Sequence, residues 1–285
     1  MDSCSAIPKL IWLLWYQGID EAPDLVRRCI SSWKHHNPDW KIILLDKNSL
    51  EEYISMRDFI DINRKDISIQ KVSNLIRINL LAKYGGVWAD ATCFCCMPLN
   101  NWLYAYVKSG FFAFRNPGRD RILSSWFLVS SQECHLTAKI CVEHNRLWRS
   151  NYFSNQGTNF GELIVKIAGP ILNRNKNSTR WWQSFLFTKV FKVYPYFIFH
   201  YHIAYIIRKD KLSREIWERT PVFSADIPHR VQSFGIYKAI TAEIKDEIDD
   251  QKSPLYKLNW RIDANSSSES SVLCYLFNST GSQET

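Results

Sequence analysis

The segment "IPKLIWLLW", residues 7 to 15, is apolar almost throughout, the pattern of a strand buried on both faces as in a parallel sheet. "APDLVRRCISSWKHHNP" follows with helical periodicity, Pro23 near its first turn, Asp24 beside it and Pro38 beyond its end, so a helix is predicted there. "WKIILLD" then reads as a second buried strand. Strand, helix and strand in this order make a βαβ unit and place the chain in the α/β class.

"SLEEYI" has the spacing of a capping box, Ser49 to Glu52, and predicts a second helical start. "SIQKVSNLIRINLLAKY" puts Ile69, Val72, Ile76 and Leu80 on one helical stripe, with Ser73 and Arg77 one turn apart on a neighbouring one. Gly85 and Gly86 stop that helix, because glycine accepts the backbone conformation of a C-cap. The chain then enters "VWADATCF", read as one strand. Farther on, "GFFAFRNP" and "SSWFLVSS" predict strands, and "LTAKICVEHNRLWRSNYF" and "ELIVKIAGPIL" predict helices. The serine-rich end, 266–285, is expected to be a flexible tail.

The formal net charge of +8 favours anionic partners. Basic residues concentrate between Arg174 and Arg219, among aromatic ones in "RWWQSF" and "IIRKDKLSREIWER", a mixture suited to an anionic membrane surface. A nucleic-acid partner is not expected, since no helix-turn-helix or RNP pattern is present. "VFKVYPYFIFHYHIAYII" is the most apolar stretch, but Pro195, Lys192, His200 and His202 interrupt it, so it predicts a buried or membrane-surface helix and not a span. The start "MDSCSAIPKLIW" lacks a basic region and a cleavage site, and the expected location is cytoplasmic, peripheral on the inner face of the membrane. The cysteines, including Cys4 and the cluster Cys93, Cys95 and Cys96, are then expected as free thiols, the cluster lacking paired zinc spacing.

Candidate chemistry centres on Asp90. A carboxylate closing a strand can hold a hard cation against a diphosphate, and period-two alternation would put Thr92 on the same face. The stretches "IPKLIWLLWYQG", "KVSNLIRINLLAKYGGVWADAT" and "SSWFLVSS" resemble the capsular polysaccharide synthesis glycosyltransferases, themselves similar to the "GGxYxDxD" mannosyl- and galactosyltransferases and to the clostridial glucosylating toxins. "LIRINLLAKYGGVWADAT" is the most specific part, and the likeness is firm over residues 7 to 130.

The resemblance implies a GT-A, Rossmann-like fold: a mixed, mostly parallel sheet flanked by helices, as one domain over 1–265. About 1–110 would bind a nucleotide-sugar, with UDP among the expected carriers, and about 111–265 the acceptor. It implies transfer of a hexose-type sugar, with retention, to a saccharide acceptor on a polyprenyl-diphosphate-type lipid in bacterial capsule, O-antigen or lipopolysaccharide synthesis. Carried over, Trp15 stacks on the base, Gln17 and Gly18 line its turn, Ser73, Asn74 and Arg77 meet the sugar or phosphates, and Asp90 is the first Asp of the Asp-x-Asp pair. Asp90 and Arg77 are the expected catalytic residues.

Two departures stand out. Asn74 occupies the place of a carboxylate after Ser73, and Thr92 that of the second Asp, so the expected Mn²⁺ or Mg²⁺ would be held by Asp90, Thr92 and a further group. His229 is the candidate, with Asp226, His200 and His202 as further ones, while Arg230 could supply positive charge in place of the ion. An inverting reaction would require a general base, for which Asp46 is the nearest candidate. Two rival readings are a non-catalytic relative that binds nucleotide-sugars and, from a different class, a nucleic-acid-binding protein.

Overall fold

The computed structural model describes residues 6–61, 64 and 66–279. Its front half runs β1 (Leu10–Leu14), α1 (Asp24–His36), β2 (Lys41–Leu45), α2 (Ile69–Tyr84), β3 (Gly86–Ala89), β4 (Cys93–Cys95), α3 (Leu103–Tyr106), β5 (Phe111–Gly118) and β6 (Arg121–Ser130). The back half runs α4 (His135–Ser150), α5 (Asn159–Leu172), α6 (Ile198–Lys209), α7 (Lys211–Arg219), α8 (Asp226–Phe234), α9 (Ala242–Asp249), β7 (Leu255–Lys257) and α10 (Val272–Ser279). A 3-10 segment, Ser178–Gln183, and a π-helical turn, Leu186–Phe191, join α5 to α6.

Five strands form the central sheet in the order β2-β1-β3-β6-β5. β1 pairs in parallel with both β2 and β3, while β6 runs antiparallel to β3 and to β5. The sheet is therefore evenly mixed and not mostly parallel: β5 and β6 join as a hairpin, which needs no crossover helix. Along β1, Trp12 faces one core and Ile11 and Leu13 the other, so both sheet faces are covered, as the uninterrupted apolar run predicts.

Gly85 and Gly86 allow α2 to turn at once into β3. Gly86 has φ +90°, and a Cβ there would lie 2.6 Å from the Leu10 carbonyl oxygen, so only glycine lets β3 approach β1 this closely. The Gly85 carbonyl accepts a hydrogen bond from Trp12 Nε1 at 2.9 Å.

Several expectations are corrected. "VWADATCF" is not one strand: β3 ends at Ala89, and Cys93 N donates to the Asp90 carbonyl at 2.8 Å, closing a β-turn from Asp90 to Cys93 before β4 begins. No capping box forms at Ser49, whose hydroxyl bonds Asp46 instead. The presumed tail is ordered as far as Ser279: Val272, Leu273 and Leu276 of α10 are buried in a cluster with Ile244 and Ile248 of α9. Residues 280–285 lie outside the described residues, as does Cys4. The apolar stretch around α6 is a buried helix.

Candidate active site

The parallel strands end together, and β1, β2 and β3 deliver Trp15, Asp46 and Asp90 just past their carboxyl ends, where open α/β sheets bind ligands. Trp15 caps β1, its N–H bonded to the Leu45 carbonyl at 3.0 Å, and its own carbonyl accepts from Gly18 N at 3.0 Å. The half-buried indole leaves Nε1 without a partner among the described residues. Gly18 has φ +97°. Gln17 is exposed on this turn.

Asp90 is held from two sides. Its Oδ1 accepts from Trp88 Nε1 at 3.0 Å and pairs with Arg77 Nη2 at 3.1 Å. Arg77 is buried, and its guanidinium also donates to the Ser125 carbonyl at 2.5 Å, the Ser73 carbonyl at 3.3 Å and Ser73 Oγ at 3.1 Å. It lies 5.0 Å from the centre of the Trp88 ring. Most of its five N–H donors are thus spent inside the protein, one of them on Asp90. Burial lowers the Arg77 pKa, and Asp90 partly restores it. Asn74 is buried on the same helix beside Ser73.

Basic and imidazole side chains lie around this pair. Lys71, buried six residues before Arg77 on the same helix, donates to the Tyr196 carbonyl and sits 4.4 Å from that ring's centre. Its pKa is pushed down to about 8 by burial and then by Arg77. His200 is pushed well below its ordinary value by burial, then by Arg121, Arg77 and Lys71, and its Nδ1 has no partner among the described residues. His229 is lowered by burial and then by Lys257. Its ring centre lies 5.4 Å from that of Trp126, and its Nδ1 is likewise unpartnered among the described residues. Burial and the neighbouring cations thus favour the neutral form of both imidazoles, and the positive charge here belongs to Arg77, Lys71, Arg121 and Lys257.

Other candidates lie elsewhere. Arg230 is tied to Glu243 and, at 3.2 Å, to Glu247, so its charge is spent on α9. His202 faces the core, Nδ1 to Nδ1 with His144 at 3.2 Å. Asp226 is exposed at the start of α8, which replaces the expected loop, and bonds Ser224. Asp46 is unsuited to be a base, since the N–H groups of Ser49 and Asn48 and the Ser49 hydroxyl all donate to its Oδ1 and lower its pKa.

A divalent ion does not fit the expected ligands as they stand. Asp90 Oδ1 already serves two donors, and Thr92 Oγ1 accepts from the ammonium of Lys257. Among the described residues no three His, Cys, Asp or Glu side chains gather as a metal site. Hard cations need several oxygen donors, preferably charged. Lys257 escaped the sequence reading because the strand that carries it, β7, is three residues long and lies far along the chain from Thr92. Cys93 and Cys95 are buried on β4 with Cys96 just past it, all with thiol pKa values raised by burial.

Comparison with known proteins finds glycosyltransferases among the relatives of this chain. An O-glycosyltransferase of Annulohypoxylon truncatum, braB, is 28% identical over 137 residues, 41% of this chain and 32% of that protein. A glycosyltransferase of Aspergillus fumigatus, afumC, is 32% identical over 91 residues, 28% of this chain and 23% of that protein. The chain therefore spans less than a third to a quarter of the curated relatives it matches. Among solved structures, the PaToxG glycosyltransferase aligns with 13% identity and a TM-score of 0.36 over 62% of this chain and 68% of that one. The family described as capsular polysaccharide synthesis protein matches residues 3–276, nearly the whole length, and this chain belongs to that family.

Proposed function

We propose that this protein is a glycosyltransferase of the GT-A type that takes a hexose-type sugar from a nucleotide-sugar and passes it, with retention, to a saccharide acceptor. The observation that carries the reading is the Arg77–Asp90–Trp88 arrangement at the carboxyl edge of the sheet, with Lys71 close enough to Arg77 for each charge to act on the other. Family membership and the names of the two fungal relatives support it. The donor occupies the front half and the acceptor the back half of one domain.

In this reading the base lies against the half-buried Trp15 indole just past the end of β1. The diphosphate enters the positive field behind Asp90. Asp90 keeps Oδ2 for a donor hydroxyl while Arg77 and Trp88 hold it in place. Precise placement contributes to rate because the reacting atoms then start near their attack geometry. Asp46 being engaged in its turn removes the nearest candidate base, which favours a retaining course in which the leaving diphosphate accepts the acceptor's proton.

A specific surface favours a membrane-borne acceptor. Phe160, Leu163, Ile167 and Ile171 of α5 are exposed, the last two by 60% and 68%, because Ile164, Ala168 and Leu172 already fill the opposite face against Trp182. Exposed Trp181 and Phe185 and the basic Lys166, Arg174 and Arg180 lie on the same run of chain. Apolar and aromatic groups beside lysine and arginine suit the interface of an anionic bilayer. Among the described residues no helix is long and apolar enough to cross a membrane. A lipid-linked saccharide in surface-polysaccharide synthesis is the acceptor this favours.

The test is a thermal-shift panel of nucleotide-sugars, followed by mass spectrometry of products with lipid-linked and free oligosaccharides. A donor at about 100 times its Kd stabilises by about 2.7 kcal/mol, a rise of about 5 °C in Tm for a chain of this size. A donor that binds without any transfer would favour a binding-only relative, and no response to any donor would refute the reading.

A further inference from the structure

Strand pairing brings to the Asp90 turn a lysine that no motif announces. β7 runs antiparallel to β4 with Lys257 opposite Cys93, and the side chain reaches back over the turn. Its Nζ donates to Thr92 Oγ1 at 2.5 Å and to the Leu258 carbonyl at 2.8 Å. Both acceptors are neutral, and among the described residues no carboxylate comes within ion-pair distance of this ammonium. An ammonium carries three N–H donors, so one remains for an oxygen that the protein does not supply. The charge is felt nearby: it lowers the pKa of His229 and acts on the Cys93 thiol.

We propose that Lys257 is the fixed cation of this site, binding the donor's diphosphate in place of a divalent metal ion. The proposal rests on the nucleotide-sugar reading above and names the group that meets the leaving phosphates. Thr92 then has a positive role. A carboxylate at that position would pair with Lys257 and cancel its charge, whereas a hydroxyl orients the ammonium and leaves it unneutralised. The same contact opposes a metal, because an ion coordinated by Thr92 Oγ1 would stand against the ammonium already bonded there. As the bond between the sugar's anomeric carbon and the phosphate oxygen breaks, its electron pair stays on that oxygen, and Lys257 stabilises the charge that develops. The acceptor oxygen forms the new bond to the anomeric carbon, and its proton passes to the departing diphosphate.

Isothermal titration of UDP, GDP and CDP against the intact protein, in EDTA and in Mn²⁺, tests this, alongside the variants Lys257→Met and Lys257→Arg and the corresponding nucleosides. At least one diphosphate is expected to bind with a Kd that differs by less than about threefold between EDTA and Mn²⁺. Lys257→Met is expected to weaken that binding by about tenfold or more, as loss of a charge-assisted hydrogen bond does, while Lys257→Arg largely retains it. The nucleoside, which has no phosphate, should bind both variants as it binds wild type. A diphosphate affinity that rises more than about tenfold with Mn²⁺ overturns the inference and leaves the nucleotide-sugar reading intact. So does a folded Lys257→Met that binds like wild type. Absence of binding by every diphosphate in both buffers overturns the reading and the inference together. Even if a variant fails to fold, the comparison of EDTA with Mn²⁺ on wild type can still overturn the inference, and Lys257→Arg tests the charge itself.

Discussion

Lys71 offers a test of how the basic cluster behind Asp90 is built. Its side chain is buried, with Arg77 as a like charge nearby, and its pKa falls from 10.5 to about 8. A base whose pKa is depressed by folding costs stability wherever it is charged in both states, below pH 8. The cost fades as pH rises from 8 toward 10.5, because there the unfolded chain holds the proton that the folded protein has lost. A shift of this size corresponds to about 3 kcal/mol at pH 7 and about 1.4 kcal/mol at pH 9.5. Lys71→Met removes the titration but leaves the Tyr196 carbonyl without its donor, an offset of about 1–3 kcal/mol that does not change with pH. The sign of the effect at one pH is therefore uninformative, and its change with pH is the quantity to measure. Urea unfolding of both proteins at pH 7 and pH 9.5 should show wild type gaining about 2 kcal/mol on the variant between the two. A difference between the proteins that stays constant within about 0.5 kcal/mol over that range would refute the depressed pKa, and with it the claim that the fold holds uncompensated positive charge ready for an anion.

Three further outcomes are expected. Asp90→Asn keeps the Trp88 contact and the fold but removes the carboxylate, and Arg77→Lys cannot reproduce the forked contacts to Ser125, Ser73 and Asp90. Each should lower kcat of sugar transfer by about 100-fold or more, and near-normal turnover in steady-state assays of either would remove that residue from the site. Gly86→Ala places a Cβ 2.6 Å from the Leu10 carbonyl oxygen at φ +90°, and should cost about 3 kcal/mol or more by chemical denaturation. The double variant Ile167→Glu/Ile171→Glu, at positions 60% and 68% exposed, should keep its Tm but lose about tenfold or more in sedimentation with anionic vesicles. A wild-type protein that ignores such vesicles at low salt would refute the membrane surface.

The front half was readable because its signals are local. A strand buried on both faces, as β1 is, must be apolar throughout, and a helix that stops on Gly85 and Gly86 shows its end in two letters. Arg77 and Ser73 lie one helical turn apart, so their contact needed only the helical period. The turn at Asp90 was misread because "WADAT" supports a continued strand as well as a reversal, and the hydrogen bond that decides for reversal joins backbone groups. Arg230 was misplaced for a related reason. Its loop-like surroundings form α8, and its charge meets Glu243 and Glu247 on the next helix.

By itself the sequence determined the α/β class, the helix and strand order through β3, and the spacing that sets Ser73 and Arg77 one turn apart, all of which follow from periodicity and nearest-neighbour spacing. Only tertiary structure decided which charges share the cleft. Lys257 is 165 positions from Thr92 along the chain, and β7 lies against β4 through backbone pairing that carries no side-chain code. It also decided which apolar residues stay outside, because α5 is apolar on both sides and only its packing against Trp182 and Tyr201 leaves Ile167 and Ile171 facing solvent. Charge and hydropathy belong to a residue, but whether a charge is neutralised or an apolar face is covered depends on what the fold sets beside it.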